Sequence, residues 1–129
     1  MDATAPRGRV LLIEDEPNIA TAIAFLLGRD GWQVSQHHDG ATAAAAVARH
    51  APDLVVLDVM LPGRSGFDVL ADIRAGARPE LPVLMLTAKG QAADRARAEA
   101  AGASRYMTKP FSNAELVAAV AEMAPRSVG

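Results

Sequence analysis

Leu54-Val55-Val56-Leu57-Asp58-Val59-Met60-Leu61-Pro62-Gly63, residues 54–63, is the stretch whose reading decides the fold. Four consecutive apolar residues with no polar alternation read as a strand buried on both faces, as central strands of a parallel sheet are. A carboxylate ends the run. Pro62, Gly63 and Gly66 then mark a turn-rich loop before a helical pattern. The same arrangement recurs along the chain. Val10-Leu11-Leu12-Ile13 ends in Glu14-Asp15, Val83-Leu84-Met85-Leu86 ends in Thr87, and the weaker run Tyr106-Met107-Thr108 ends in Lys109.

Working outward, short apolar runs alternate five times with longer helical patterns. Strands separated by helical segments imply βαβ units and a parallel sheet. Strands are expected near residues 9–14, 32–37, 53–58, 82–87 and 104–108. Helices are expected near 17–29, 40–50, 66–75, 91–102 and 112–124. In the first helix, Pro17 suits the opening turn. Ile19, Ile23, Leu26 and Leu27 fall on one face, and Gly31 suits a left-handed cap. Asp15 is a candidate N-cap for that helix. Strand 2, Trp32 to His37, alternates weakly, as an edge strand does, with Trp32 facing the core. The second and fourth helices are mostly alanine, which favours helix but buries little area, so both should dock shallowly. Ser112 and Glu115 match a capping box for the last helix, whose core face is Leu116, Val120 and Met123.

The 129 residues suit one domain, expected as a single unit over residues 9–124 with flexible tails at 1–8 and 125–129. The net charge of −2 gives no electrostatic footprint for nucleic acid. The absence of cysteine excludes disulfides, thiol chemistry and cysteine zinc sites. No apolar run approaches the roughly 20 residues of a membrane span, and the first nine residues lack a signal-peptide core. A cytoplasmic protein without membrane association is expected.

In an open parallel sheet, ligands bind at the carboxyl ends of the strands. Glu14, Asp15, Asp58, Thr87 and Lys109 all fall there. Taken singly, each has a plain reading: a solvated loop or cap for the acids, a surface lysine, a β-branched residue finishing a strand. Together they converge on one edge. Three neighbouring carboxylates repel unless one is protonated or a cation neutralises them. Oxygen ligands of this kind suit Mg2+, which keeps waters and takes carboxylates together with phosphate oxygens. An aspartate can also take a phosphoryl group covalently. Lys109 precedes Pro110; a cis bond there would turn its side chain back toward the strand ends.

The stretches LLIEDEP (11–17), LVVLDVMLPGRSGFDVL (54–70), PVLMLTAKG (82–90) and GASRYMTKPFSNAELVAAV (102–120) resemble the receiver domain of two-component response regulators over about residues 8–124. The resemblance implies an α/β, flavodoxin-like (βα)5 three-layer sandwich with a parallel five-stranded sheet in order 2-1-3-4-5, an order the chemotaxis receiver exemplifies. It implies Asp58 as phosphoacceptor. Asp15 and Asp58 would hold Mg2+ through their side chains, Glu14 through a water and Met60 through its backbone carbonyl. Lys109 and Thr87 would bind the phosphoryl oxygens, with Thr87 and Tyr106 as the switch pair and Ala88 leaving room for Tyr106 to turn in. The phosphodonor would be a sensor histidine kinase or a histidine phosphotransfer protein. The output would be a downstream protein partner reached through the fourth helix, fifth strand and fifth helix. Met60 and Lys89 would tune phosphoryl lifetime.

Other classes fit less well. A haloacid-dehalogenase-like phosphotransferase needs an aspartate two residues after its nucleophile, where Met60 stands. A flavodoxin-type binder needs glycine where Glu14-Asp15-Glu16-Pro17 stands. A phosphorylation-independent adaptor has no need of the full acidic set. The chain is therefore expected to be a signalling switch, not an enzyme with its own turnover substrate. A stand-alone receiver that contacts no nucleic acid is favoured, with the receiver of a winged-helix DNA-binding regulator as the alternative. Ser104-Arg105 and Val117-Ala118-Ala119-Val120 replace the charges through which such regulators link as dimers. His37, His38 and His50 show no metal spacing, and His37-His38 is read as an exposed strand end. Arg64 and Ser65 are loop residues that exposure alone suggests for kinase contact.

Overall fold

The computed structural model describes residues 7–88 and 92–124. Lys89 and the terminal stretches 1–6 and 125–129 lie outside the described residues. Five strands, β1 (Gly8–Ile13), β2 (Trp32–His37), β3 (Leu54–Asp58), β4 (Val83–Ala88) and β5 (Arg105–Lys109), alternate with five helices. These are α1 (Pro17–Arg29), α2 (Ala43–His50), α3 (Gly66–Arg74), α4 (Ala92–Ala101) and α5 (Asn113–Met123). All pairings are parallel, in the order β2-β1-β3-β4-β5. The doubly wound α/β arrangement and its strand order are those expected.

The continuously apolar strands are central because both faces must be covered. Leu11, Ile13, Val55, Leu57, Val83 and Met85 pack with α2, α3 and α4. Val10, Leu12, Leu54, Val56, Leu84 and Leu86 pack with α1 and α5. This period of two continues to the strand ends. It sends Glu14, Asp58 and Lys109 toward the α1–α5 side and Thr87 and Tyr106 toward the α3–α4 side. One sheet edge thus carries two groups of polar residues, separated by side-chain parity.

The caps show local chemistry at work. Glu16, not Asp15, caps α1: its carboxylate accepts from the Asn18 N–H at 2.9 Å. With Pro17 at the first helical position, the cap falls one residue later than expected, and Asp15 is left outside the helix. Gly31 takes a left-handed φ of 98° just past α1. Ser112 and Glu115 form the expected capping box on α5. The second helix starts at Ala43 rather than near residue 40, because Asp39 folds back to accept from the Thr42 N–H at 2.9 Å. Gly66 opens α3 where a Cβ would stand 2.3 Å from the Asp58 carbonyl oxygen, so only glycine lets this helix start so close to the phosphoacceptor candidate.

Alanine content makes α4 shallow, as expected. Among its described side chains only Ala98 is buried. Two arginines add contacts: Arg97 lies over the Phe67 ring at 4.2 Å and Arg95 over the Tyr106 ring at 5.9 Å. Trp32 is core, 5% exposed.

Candidate functional site

At the carboxyl edge of the sheet, β1 delivers Glu14 and Asp15, β3 delivers Asp58, β4 delivers Thr87 and β5 delivers Lys109. Glu14, Asp58 and Thr87 are buried. Asp15 is exposed, so one acid faces solvent above two that do not. Ligand oxygens of Glu14, Asp15 and Asp58 lie within 4.8 Å of one another. Lys109 closes the floor: its Nζ donates to Glu14 Oε1 at 3.0 Å and lies 3.3 Å from Asp58 Oδ1. The Lys109–Pro110 bond is cis, as the sequence suggested.

The electrostatics follow from burial. Desolvation, and next the Glu14 charge, push the Asp58 carboxyl up to about 6, while Lys109 and the Met60 N–H, 3.3 Å from Asp58 Oδ1, pull it down. For Lys109, burial disfavours the ammonium, but the bonds and charges of Glu14 and Asp58 more than offset it, so its pKa is raised. Three carboxylates against one ammonium leave the cluster with an uncompensated charge near −2 when ionised. A small divalent cation matches that deficit, and oxygen-only donors match Mg2+ or another hard cation. The donor set fits the expected metal.

Glu14 is fixed at every polar group. Its Oε2 accepts from the Glu16 N–H at 3.1 Å, its own N–H donates to the His37 carbonyl at 3.0 Å, and its carbonyl lies 3.1 Å from His38 Nδ1. His38, read from sequence as an exposed strand end, is exposed yet touches this site. No spacing rule could find it, because the contact depends on where β2 ends beside β1. The loop after Asp58 is also held. The Gly40 N–H donates to the Pro62 carbonyl at 2.9 Å, and Arg64 makes a two-pronged pair with Asp72, both bonds at 2.8 Å. Ser65 caps α3 by accepting from the Asp68 N–H at 3.3 Å. Arg64 and Ser65 thus both bond within the chain, Arg64 while remaining exposed.

On the other parity, the Thr87 hydroxyl donates to the Tyr106 hydroxyl at 2.8 Å. Met60 is 70% exposed beside Asp58. On the face formed by α4, β5 and α5, Arg105 pairs with Glu122, and the Ser104 hydroxyl accepts from the Val83 N–H at 3.0 Å. Among the described residues no helix is long and apolar enough to cross a membrane.

A family model for the response regulator receiver domain matches residues 10–121. The "Probable transcriptional regulatory protein TcrX" of Mycobacterium tuberculosis is 48% identical over 108 residues, covering 84% of this chain and 46% of that protein. The sensory transduction protein RegX3 of Mycolicibacterium smegmatis is 42% identical over 111 residues, covering 86% of this chain and 48% of its own length. The chain thus spans about half the length of these curated relatives. Among solved structures, the BeF3-activated receiver domain of Klebsiella pneumoniae RstA superposes with a TM-score of 0.85 at 31% identity, covering 92% of this chain and 99% of the other. The receiver domain of the sensor histidine kinase PA1611 of Pseudomonas aeruginosa, with a magnesium ion in its active-site cleft, gives 0.82 at 32% identity, covering 90% and 96%.

Proposed function

Because the chain belongs to the response regulator receiver family, we propose that it is a phosphorylation-driven switch with Asp58 as phosphoacceptor. One observation carries this reading: Glu14, Asp15 and Asp58 converge with the Lys109 ammonium 3.3 Å from Asp58 Oδ1. An Asp58 oxygen attacks phosphorus in line, the bond from phosphorus to the donor's imidazole nitrogen breaks, and the imidazole leaves with that electron pair. Lys109 lies where it offsets charge on the phosphoryl oxygens as Asp58 bonds to phosphorus. Asp15, Asp58, the Met60 carbonyl and, through water, Glu14 are the residues for Mg2+. Bound there, the ion supplies charge neutralisation and a template for the phosphoryl oxygens. Water later cleaves the acyl phosphate, so the state is transient. The only chemistry is on the chain itself, a switch rather than turnover of a substrate.

Read-out begins at the other parity. The Thr87 hydroxyl, now donating to Tyr106, exchanges that acceptor for a phosphoryl oxygen. Tyr106 then resets its contacts, including the ring under Arg95 on α4. This biases a two-state equilibrium of the α4-β5-α5 face. The donor is a sensor histidine kinase or histidine phosphotransfer protein in the cytoplasm, and the output passes through that face to a protein partner. A second reading, the receiver part of a longer transcriptional regulator, is favoured by relatives about twice this length, one of them named as a transcriptional regulatory protein.

The test is intact mass after incubation with acetyl phosphate, with and without Mg2+. One phosphoryl group should appear on the wild type in Mg2+ and none on Asp58→Asn. Acid-labile labelling retained in that variant would sink the assignment.

A further inference from the structure

We infer that His38 is a positioning residue for the cation site, acting through the peptide bond that joins Glu14 to Asp15. The inference rests on the metal reading above and adds a residue to it. Asp15 is the exposed acid of the three, and no hydrogen bond or ion pair among the described residues directs its carboxylate. With no partner to select a rotamer, what the backbone fixes is the Cα–Cβ direction from which the carboxylate reaches the site, and the orientation of the Glu14–Asp15 peptide plane enters there. The nitrogen side of Glu14 is tied into the sheet by the bond to the His37 carbonyl at 3.0 Å. Its carbonyl lies one residue beyond the end of β1, where the β1–β2 pairing stops at Ile13 and His37. There the His38 ring supplies the partner, with Nδ1 at 3.1 Å. A carbonyl oxygen only accepts, so Nδ1 carries the hydrogen.

The side chain thus adds one donor where the strand ladder runs out. Without it the peptide plane keeps the bonds of the Glu14 N–H and of the Glu16 N–H but loses the one on its own carbonyl, and the Asp15 carboxylate spreads over more directions. A cation site that relies on two or three protein oxygens loses affinity when one of them is no longer held in place. Partners that orient ligands in this way are typically worth about 10- to 100-fold in metal affinity. Here the held group is one atom removed from the ligand residue and the contact is partly solvated, so the lower figure, about tenfold, applies.

Three variants separate this from a general effect of the ring. His38→Ala removes the donor. His38→Asn places an amide N–H near the former Nδ1 position. His38→Gln carries its amide farther out, near the former Nε2 position. Calorimetric titration with MgCl2 reads affinity directly, without any phosphoryl chemistry. The Asp15 backbone amide resonance in metal-free protein reads the peptide plane. Urea unfolding in EDTA reads stability. The expectation is about tenfold weaker Mg2+ binding for Ala and Gln, near wild-type binding for Asn, a displaced Asp15 amide in Ala and Gln, and unfolding midpoints close to wild type. Wild-type affinity in His38→Ala would overturn the inference and leave the metal site standing. Equal weakening in Ala and Asn would overturn the donor role. Failure of the wild type itself to bind Mg2+ would overturn both the inference and the metal reading.

Discussion

Replacing Asp58 by asparagine should make the metal-free protein more stable at neutral pH, although it removes the proposed phosphoacceptor. The Asp58 carboxyl is raised from 3.8 to about 6, by desolvation first and by Glu14 second. A raised carboxyl pKa means that the folded chain holds this proton more tightly than the unfolded chain does. The stability contributed by the group is therefore complete below about pH 4 and is lost as pH rises through about 6. Two pH units correspond to about 3 kcal/mol. Asparagine keeps the shape and sheds the charge but leaves Lys109 with one anionic partner fewer, which brings the expected gain to about 1–3 kcal/mol at pH 7.5. Urea unfolding of wild type and Asp58→Asn in EDTA, from pH 4 to pH 8, measures it. The difference should be small at pH 4 and grow through pH 6. Millimolar MgCl2 should then narrow it at pH 7.5 by stabilising the wild type by RT ln(1 + [Mg2+]/Kd). An asparagine variant no more stable than wild type at pH 7.5, or a gain independent of pH, would refute the claim that Asp58 is held charged against its surroundings.

Other outcomes are also expected. Lys109→Ala leaves Glu14 and Asp58 without their ammonium and should destabilise the metal-free protein by about 3–5 kcal/mol at neutral pH, as removal of one partner of a buried pair does; denaturant titration reads this. The same variant, if phosphorylated in Mg2+, should show no shift in Tyr106 ring resonances. Tyr106→Phe removes the acceptor of the Thr87 hydroxyl and leaves that buried group unpaired, a loss of about 1–3 kcal/mol measurable by urea unfolding. Ser112→Ala breaks the capping box of α5 and should cost about 1 kcal/mol with phosphorylation by acetyl phosphate unchanged.

Much of this protein was legible in its sequence. Runs such as Leu54–Leu57, unbroken by polar residues, specify strands covered on both faces, and alternation with helical patterns then leaves a parallel sheet as the economical solution. Because the strands of a parallel sheet all run the same way, the residues ending each run were already assigned to one sheet edge. The caps were local as well, since Ser112 and Glu115 lie three residues apart and need no tertiary contact.

What only the folded structure decided was contact between residues far apart in the chain. That Glu14 is buried while adjacent Asp15 is exposed depends on how α1 starts at Glu16 and how Lys109, 95 positions away, reaches back to it. Sequence can identify three carboxylates at strand ends but not the distances that push Asp58 up to about 6. That Arg64 pairs with Asp72 on the third helix was likewise not legible, because the contact depends on how the loop after Asp58 folds back onto that helix. His38 had no motif, because the sheet's pairing, and not any spacing, brings its ring to the Glu14 carbonyl. Hydrophobic periodicity is written along the chain and fixes elements and faces. Desolvation and hydrogen-bond geometry are properties of the packed assembly, and they decided the chemistry at the edge of the sheet.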